Sequence, residues 1–393
     1  MIKSKSPLFK LIFILIFIGL TFISISSLTE ANNTIGDKYF YLKKQIFWVL
    51  ISLISYYISS KINLNLVKKF AFLLYTFSII CLVLVLIPGL SDEALGASRW
   101  LNLGPFSFQP SELLKFTSVI YFASLFSVES KRNFTNLIIY LVVPFILIIL
   151  EPNLSTAILV SAIIISMFYL SGGKIMPLFL LCIALIVLSL GLIYSSPYRK
   201  ARLNTLLNPT QTTQSTSYHS NQIILSLSSG GIFGKGFANS DQKYRFLPKI
   251  STDSILAIIG EETGFVGVSL ILIIYMILIT YLIKLASSIE NDNFLALIVS
   301  GTTCWITYQS LINISAIANI IPLTGVPLPF ISYGGSSLFT LMTAIGLVRN
   351  IEKKHPILIY SSDDSSNKKN HYHRNSSNSR HRTNPTAKIR LKK

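Results

Sequence analysis

Long apolar runs separated by polar connections make up most of the chain. The first run spans residues 7–28, and the others lie at about 44–62, 70–88, 111–128, 134–151, 155–171, 175–195, 255–283, 294–321 and 336–350. A helix of about 20 apolar residues crosses a bilayer, whereas the apolar core of a signal peptide has roughly 7–15 residues. The pattern predicts an all-α, polytopic integral membrane protein with about ten transmembrane helices, the first of them retained.

The basic residues predict how these helices are oriented. Lysine and arginine are enriched in cytoplasmic connections, and the clearest basic segments here are the first residues and the tail. We expect both termini in the cytoplasm and the protein in the cytoplasmic (inner) membrane. Three polar segments, residues 89–115, 196–254 and 319–337, then fall on the outer side. The second forms a large outer loop before the eighth helix, and connections of that length are usually functional or disordered.

Composition supports a lipid environment and argues against nucleic acid as a partner. Of 393 residues, 51% are hydrophobic and 13% are charged, against roughly 25% charged residues in soluble domains. The net charge is +18, and the polar stretch from Arg349 onward contributes much of it. We therefore predict a membrane domain at 1–352 and a basic, disordered cytoplasmic tail at 353–393. The tail either contacts anionic lipid headgroups or is a solvated segment that enforces topology.

Cysteine and histidine give no sign of a metal centre. The three cysteines, Cys81, Cys182 and Cys304, lie inside apolar runs and lack metal or disulfide spacing. Four of the five histidines lie in the tail. No cofactor is predicted with certainty, and a divalent cation (Mg²⁺ or Mn²⁺) stays open.

The first outer segment combines interface residues with a charge pair. Arg99 and Trp100 suit the membrane surface, where tryptophan anchors and arginine meets phosphate. Pro110-Ser111 predicts a helix start, with the serine as cap. Glu112 and Lys115 lie three residues apart and hence on one helical face. They form either a structural ion pair or part of a polar cavity in which Lys115 is available to an anion.

The second outer segment contains a glycine cluster at 230–236 and an acidic residue, Asp253, at its end. The cluster could let main-chain amides approach a phosphate, but it lacks the ending of a P-loop. Asp253 stands where the chain re-enters the membrane, a costly place for a carboxylate unless it is used or paired. It is either a general base for a hydroxyl or, with Thr252, a helix cap.

The third outer segment, residues 319–337, contains three prolines and three glycines. Broken backbone at membrane depth is tolerated where it is buried in protein or lines a cavity. Its hydroxyl residues Ser332, Tyr333, Ser336 and Ser337 are suited to phosphate or sugar oxygens.

Together these motifs resemble the FtsW/RodA/SpoVE (SEDS) family. The resemblance runs from about residue 8 to 352. It rests on Gly-Ala-Ser-Arg-Trp100, Gln109-Pro-Ser-Glu-Leu-Leu-Lys115, Gly-Gly-Ile-Phe-Gly-Lys-Gly236, Thr252-Asp253, Gly-Glu-Glu-Thr-Gly264 and the stretch 322–337. It implies a ten-helix peptidoglycan glycosyltransferase. The substrate would be lipid II, a disaccharide-pentapeptide linked to undecaprenyl pyrophosphate, used outside the cytoplasmic membrane. It also implies a class B penicillin-binding protein, a transpeptidase, as partner.

Carried over residue by residue, the family's presumed catalytic aspartate falls on Asp253. The sequence departs from the family pattern after it, where Ser254 and Leu256 replace phenylalanines, and at Asn153, where aspartate is common. Both division-type and elongation-type features occur, so the sequence leaves these two branches open.

The candidate substrate-binding residues are Arg99, Trp100, Gln109, Glu112, Lys115, Lys243, Arg245, Glu262, Tyr333 and Ser336. Several of them, with Asp253, are expected to line one outer cavity from which an apolar groove opens to the bilayer. Two other functions stay open: a flippase for the same lipid-linked precursor, and a non-enzymatic scaffold of the division or elongation machinery.

Overall fold

The computed structural model describes residues 7–94, 97–102, 104, 107–207, 214–240 and 252–356. Residues Ser6–His355 form one compact unit. The other unit, Met1–Lys5 with Pro356–Lys393, lies outside the described residues apart from Pro356. The predicted boundary at residue 352 and the predicted disorder of the tail stay predictions.

Helices make up nearly all of the described chain. They are α1 (Leu8–Ile35), α2 (Phe40–Ser59), α3 (Leu64–Val85), α4 (Pro110–Phe126), α5 (Phe134–Leu150), α6 (Leu154–Leu170), α7 (Ile175–Tyr194), α8 (Pro197–Leu207), α9 (Gln214–Gly230), α10 (Ile255–Ser287), α11 (Asn293–Ile317) and α12 (Gly335–Lys354), with a 3₁₀ turn at Glu129–Lys131. A small antiparallel sheet, β1 (Ser91–Ala94), β2 (Ala97–Asn102) and β3 (Ser107–Phe108), precedes α4 in the order β1-β2-β3.

The all-α prediction is confirmed, and a helix lies at each of the ten apolar runs. Within the described residues, five helices are long and apolar enough to cross a membrane: α1, α3, α7, α10 and α11. Helices α5 and α6 are apolar but shorter. The count of ten spans therefore stays a prediction. Helices α8 and α9 occupy part of the large outer loop, and the sequence pattern did not predict them or the sheet.

Side-chain caps begin several of the helices that follow tight connections. Asn63 accepts a hydrogen bond from the amide of Asn65 before α3, and Asn133 accepts one from Asn136 before α5. Asp292 accepts from two amides at the start of α11. Such caps satisfy amides that the first turn of a helix leaves without partners.

The start of α4 differs from the prediction in one detail. Pro110 occupies the first turn, as predicted, but Gln109 holds the cap position and makes no side-chain cap bond. Ser111 lies inside the helix with its hydroxyl buried. The predicted serine cap is therefore wrong, because the helix begins two residues earlier than that assignment requires.

The interior is built around α4 and α11, which lie largely buried and contact each other. In contrast, most side chains of α7 are exposed, among them Phe179, Ile186 and Val187. Large exposed apolar side chains on such a helix are expected where lipid replaces water. Polar and charged side chains concentrate instead where α4, α10, α11 and the segment before α12 meet.

Candidate functional site

Asp253 lies directly before α10 and is not its cap residue. Ser254 holds the cap position and makes no side-chain cap bond. The cap position thus falls one residue after Asp253, and the role of this carboxylate as a general base stays a prediction. The side chain lies against Gly325, because a Cβ at that position would be 3.4 Å from Asp253 Oδ2. The candidate general base thus contacts the third outer segment.

The third outer segment is irregular between Pro322 and Gly334, and surrounding helices satisfy its main-chain carbonyls. Arg202 Nη1 donates to the carbonyl of Leu323 at 2.7 Å, and the Tyr275 hydroxyl donates to that of Pro329. Two further donors come from α11 and reach the carbonyls of residues 326 and 327. The middle of the segment, residues 326–332, is therefore largely buried in protein, which is how broken backbone is tolerated at membrane depth, whereas Gly325 is exposed.

Two amide side chains of α11 provide those donors. Asn313 Nδ2 lies 2.8 Å from the carbonyl oxygen of Val326 and 3.1 Å from that of Asp253. Gln309 Nε2 lies 2.9 Å from the carbonyl oxygen of Pro327. Both side chains are almost fully buried. Asn313 thus joins the main chain of Asp253 to the third segment, and Gln309 bonds to the same segment.

The charge pair of α4 lies in the interior next to Gln309. Lys115 Nζ lies 2.7 Å from Glu112 Oε1 and 2.8 Å from Gln309 Oε1, and its side chain is 1% exposed. Its ammonium lies 5.4 Å from the centroid of the Trp305 ring. The structural ion pair predicted from the sequence is therefore present. A direct role of Lys115 with an anion stays a prediction.

The first and third outer segments meet at Ser336. Its hydroxyl accepts a hydrogen bond from the amide of Gln109 at 3.2 Å, and the side chain is buried at the start of α12. The neighbouring Tyr333 contacts the ring of Tyr41 edge-on, with centroids 5.4 Å apart. Burial, and to a lesser degree Tyr41, raises the pKa of the Tyr333 phenol to about 12. The phenol therefore stays protonated at neutral pH and can donate a hydrogen bond.

A cavity of about 370 Å³ opens beside α2, lined by Phe40, Lys43, Lys44, Phe47, Trp48, Ser107 and Tyr333. Of the predicted site residues it contains Tyr333. Lys43 donates a hydrogen bond to Asp37 across 2.8 Å, which lowers the pKa of that exposed carboxyl. The cavity brings positive charge and aromatic surface together, as expected for the outer face. The sequence predicts one cavity lined by Asp253, Trp100, Glu112, Lys115 and Ser336, and this cavity stays a prediction. In this structure, hydrogen bonds through side chains and main chain connect most of these positions.

Arg99 and Trp100 lie on β2, whose partner strand pairs Trp100 with Asp92. The guanidinium of Arg99 donates to the main-chain carbonyls of Glu151 and Pro152 at 3.1 and 2.7 Å. These bonds fasten the sheet to the turn between α5 and α6. Phosphate binding by Arg99 stays a prediction, and its contacts in this structure are with protein.

The turn held by Arg99 contains the position where the family commonly has aspartate. Asn153 instead caps α6, accepting from the amide of Thr156 at 3.3 Å. A carboxylate is present two residues earlier, at Glu151, which is fully buried and has no hydrogen-bond partner for either oxygen among the described residues. In this chain the carboxyl group of the turn therefore lies at residue 151 and not at residue 153.

The glycine cluster packs on α10, and an approach of its amides to a phosphate stays a prediction. The amides of Lys235 and Gly236 donate to the carbonyls of Glu261 and Glu262 at 2.9 and 3.0 Å. A Cβ on Gly234 would lie 2.2 Å from the carbonyl oxygen of Glu262. Glycine is needed there for approach to another main chain, not to a ligand.

The two carboxylates at 261 and 262 fasten the same segment through their side chains. Glu261 accepts from Lys235 Nζ at 2.9 Å and from the Ser240 hydroxyl at 2.5 Å. Glu262 Oε2 accepts from the amide of Ala238 at 3.1 Å. Contact of Glu262 with substrate stays a prediction, and its observed contact is with this segment.

Two predicted substrate-binding residues, Lys243 and Arg245, lie outside the described residues. Within the part of the chain that is described, no group of three or more His, Cys, Asp or Glu side chains lies close enough together to hold a metal ion. The dependence on a divalent cation stays a prediction.

Sequence reasoning missed Gln309 and Asn313, although the sequence contains a signal for them. They are amide residues four apart in a largely apolar run, and such residues face the protein interior when a helix lies in lipid. Their partners are main-chain carbonyls of a distant irregular segment, whose path no local pattern predicts.

The chain is similar over most of its length to several named proteins. Residues 6–356 match the FtsW/RodA/SpoVE family model, described as "Cell cycle protein". "Stage V sporulation protein E" of Bacillus subtilis is 32% identical over 362 residues, which cover 89% of this chain and 98% of that protein. "Probable peptidoglycan glycosyltransferase FtsW" of Taylorella equigenitalis is 31% identical over 334 residues, covering 82% and 91%.

Solved structures show the same fold at lower sequence identity. A chain in "Structural coordination of polymerization and crosslinking by a peptidoglycan synthase complex" matches with a TM-score of 0.73 and 23% identity, covering 91% of this chain and 99% of that one. The rod shape determining protein RodA of Thermus thermophilus matches with a TM-score of 0.67 and 22% identity, covering 90% and 97%. With the family match and the relatives above, these similarities establish that the chain is a multi-pass membrane protein and belongs to the FtsW/RodA/SpoVE family.

Proposed function

We propose that this protein is a peptidoglycan glycosyltransferase that polymerises glycan strands from lipid II on the outer side of the cytoplasmic membrane. Several relatives carry the name of a probable peptidoglycan glycosyltransferase. The observation that carries the proposal is the position of Asp253. Its carboxylate lies beside Gly325 in the irregular segment before α12, and the residue does not hold the cap position of α10.

The proposed reaction is a single displacement. Asp253 accepts the proton of the acceptor sugar's 4-hydroxyl, and that oxygen forms a bond to the anomeric carbon of the donor. The bond between the anomeric carbon and the pyrophosphate oxygen breaks, and undecaprenyl pyrophosphate leaves with the bonding electrons. The cationic side chains Arg99, Lys115 and Arg245 are the candidates for stabilising its charge at close range.

A class B penicillin-binding protein that cross-links the new strand is the proposed partner. The support is a structural neighbour described as a synthase complex that coordinates polymerisation and crosslinking. The substrate's prenyl tail stays in lipid, which suits a protein whose helices expose wide apolar faces.

Polymerisation by the purified full-length protein tests the proposal. The protein is reconstituted in vesicles with lipid II and no other enzyme, and products are separated by length. We expect glycan chains from the wild type and from Glu290→Gln, an exposed acid between α10 and α11. Asp253→Asn should abolish them, because an amide cannot accept the proton.

Three outcomes would contradict the proposal. Near-normal activity of Asp253→Asn would exclude this residue as the base. Movement of lipid II between leaflets without glycan chains would support a flippase. A protein that folds and inserts but shows neither activity would support the scaffold function. Repeating the wild-type assay with EDTA measures the dependence on a divalent cation.

A further inference from the structure

Two neighbouring side chains of α11 hold two consecutive carbonyls of the irregular segment. Gln309 and Asn313 are one helical turn apart and therefore share a face. Gln309 donates to the carbonyl of Pro327 at 2.9 Å, and Asn313 donates to that of Val326 at 2.8 Å. These two bonds hold the segment against α11 at two points.

Asn313 also contacts the candidate base through its main chain. The same Nδ2 lies 3.1 Å from the carbonyl oxygen of Asp253. Both partners of this nitrogen are carbonyl oxygens, so the side-chain amide can satisfy them in one orientation alone. Its own oxygen is then left buried with no hydrogen-bond partner among the described residues, an arrangement that destabilises the fold.

We propose that Asn313 is a positioning residue for glycosyl transfer, which sets the carboxylate of Asp253 against Gly325 by holding residues 253 and 326 together. Gln309 orients the same segment from one turn away and links it to the Glu112–Lys115 pair. This inference rests on the proposed function only for its catalytic consequence, since the geometric role is measurable without turnover.

The bond from Asn313 reaches the main chain of Asp253 and not its carboxylate. Loss of the bond should therefore displace the base without removing it. A displacement of about 1 Å in a reacting group lowers turnover by roughly 100-fold. The substrate's binding surface is left largely in place, so kcat should fall while KM for lipid II changes little.

The decisive variant is Asn313→Asp, which keeps size and shape but replaces the two N–H donors of the amide by a carboxyl group that donates one hydrogen bond when protonated and none when ionised. We expect kcat to fall by roughly 100-fold with a KM within about threefold of the wild type. Asn313→Gln keeps the donor and should recover most of the loss. Ser310→Ala is the matched control, since among the described residues this buried neighbour on α11 donates to its own helix alone, at Ile306.

Hydrogen exchange measured by mass spectrometry on the full-length protein gives a readout independent of activity. Asn313→Asp should speed exchange in residues 319–334, and Ser310→Ala should not. If exchange rises as expected but the wild type makes no glycan, the proposed function fails while the positioning role survives. Should Asn313→Asp not accumulate in the membrane, Asn313→Gln carries the test.

Four results would overturn the proposal. The first is wild-type kcat in Asn313→Asp. The second is equal loss of activity in Asn313→Asp and Ser310→Ala, which would indicate general packing. The third is unchanged exchange in residues 319–334, which would show that the bonds do not hold the segment. The fourth is a kcat for Asn313→Gln as low as that of Asp253→Asn, without faster hydrogen exchange in residues 319–334.

Discussion

A single glycine decides how closely the irregular segment approaches the candidate base. Gly325 has a φ of +71°, and a Cβ added there would lie 3.4 Å from Asp253 Oδ2. Both the backbone conformation and the space beside the carboxylate therefore favour glycine. The site depends on this residue even though it has no functional group.

We predict that Gly325→Ala lowers polymerisation at least tenfold while the protein still inserts. The methyl group meets the carboxylate, and the positive φ adds strain of about 1 kcal/mol or more. Gly36→Ala is the control for backbone strain without contact. Gly36 has a φ of +80°, and no atom lies within 4 Å of its Cβ position. The initial rate of each variant is measured in the vesicle assay. Equal rates for the two variants would show that contact with Asp253 is unimportant.

At the level of elements, α10 is two helical pieces joined at Gly264, where φ is +67° and ψ is −166°. The break leaves the amides of Phe265 and Val266 without partners in their own helix. The carbonyls of Gly231 and Ile232 accept from them at 2.9 and 3.1 Å. The glycine cluster thus completes the interrupted helix, and it forms part of the structure that leads into Asp253.

Gly234→Ala should detach this cluster from α10. Its Cβ would lie 2.2 Å from the main chain at Glu262, and its φ is +79°. We expect a loss of stability of roughly 1–3 kcal/mol, seen as a lower midpoint of thermal unfolding in detergent. The control Gly191→Ala lies on α7, where no atom is within 4 Å of the added carbon. A midpoint unchanged by Gly234→Ala would contradict the role given to the cluster.

The elements also show where prediction from sequence succeeds and where it ends. Apolar runs predict α3 or α11 because lipid forces all backbone bonds into one helix. The sheet at 91–108 and helix α9 have no such pattern, since their stability comes from packing on the bundle. In the site, the position of Asp253 just before a long apolar helix could be predicted, but its contact with Gly325 depends on the path of an irregular segment.

At the scale of the whole molecule, the orientation in the membrane is open to a direct test. Single cysteines are placed at Asp37 and at Glu129 after Cys81, Cys182 and Cys304 are replaced by alanine. Both positions lie in exposed connections, on opposite sides under the predicted topology. A membrane-impermeant maleimide should label Asp37→Cys in intact cells and Glu129→Cys only after permeabilisation. The reverse pattern would place the termini outside.

The buried pair on α4 has a consequence for how the chain is made. Lys115 is bonded to Gln309, which lies 194 residues further along. At a synthesis rate of about 5–20 residues per second, the ribosome needs roughly 10–40 s to supply that partner. During this interval α4 resides in the translocon or the bilayer with its ammonium half satisfied. A chain that stops before α11 therefore lacks the Gln309 partner of this ammonium.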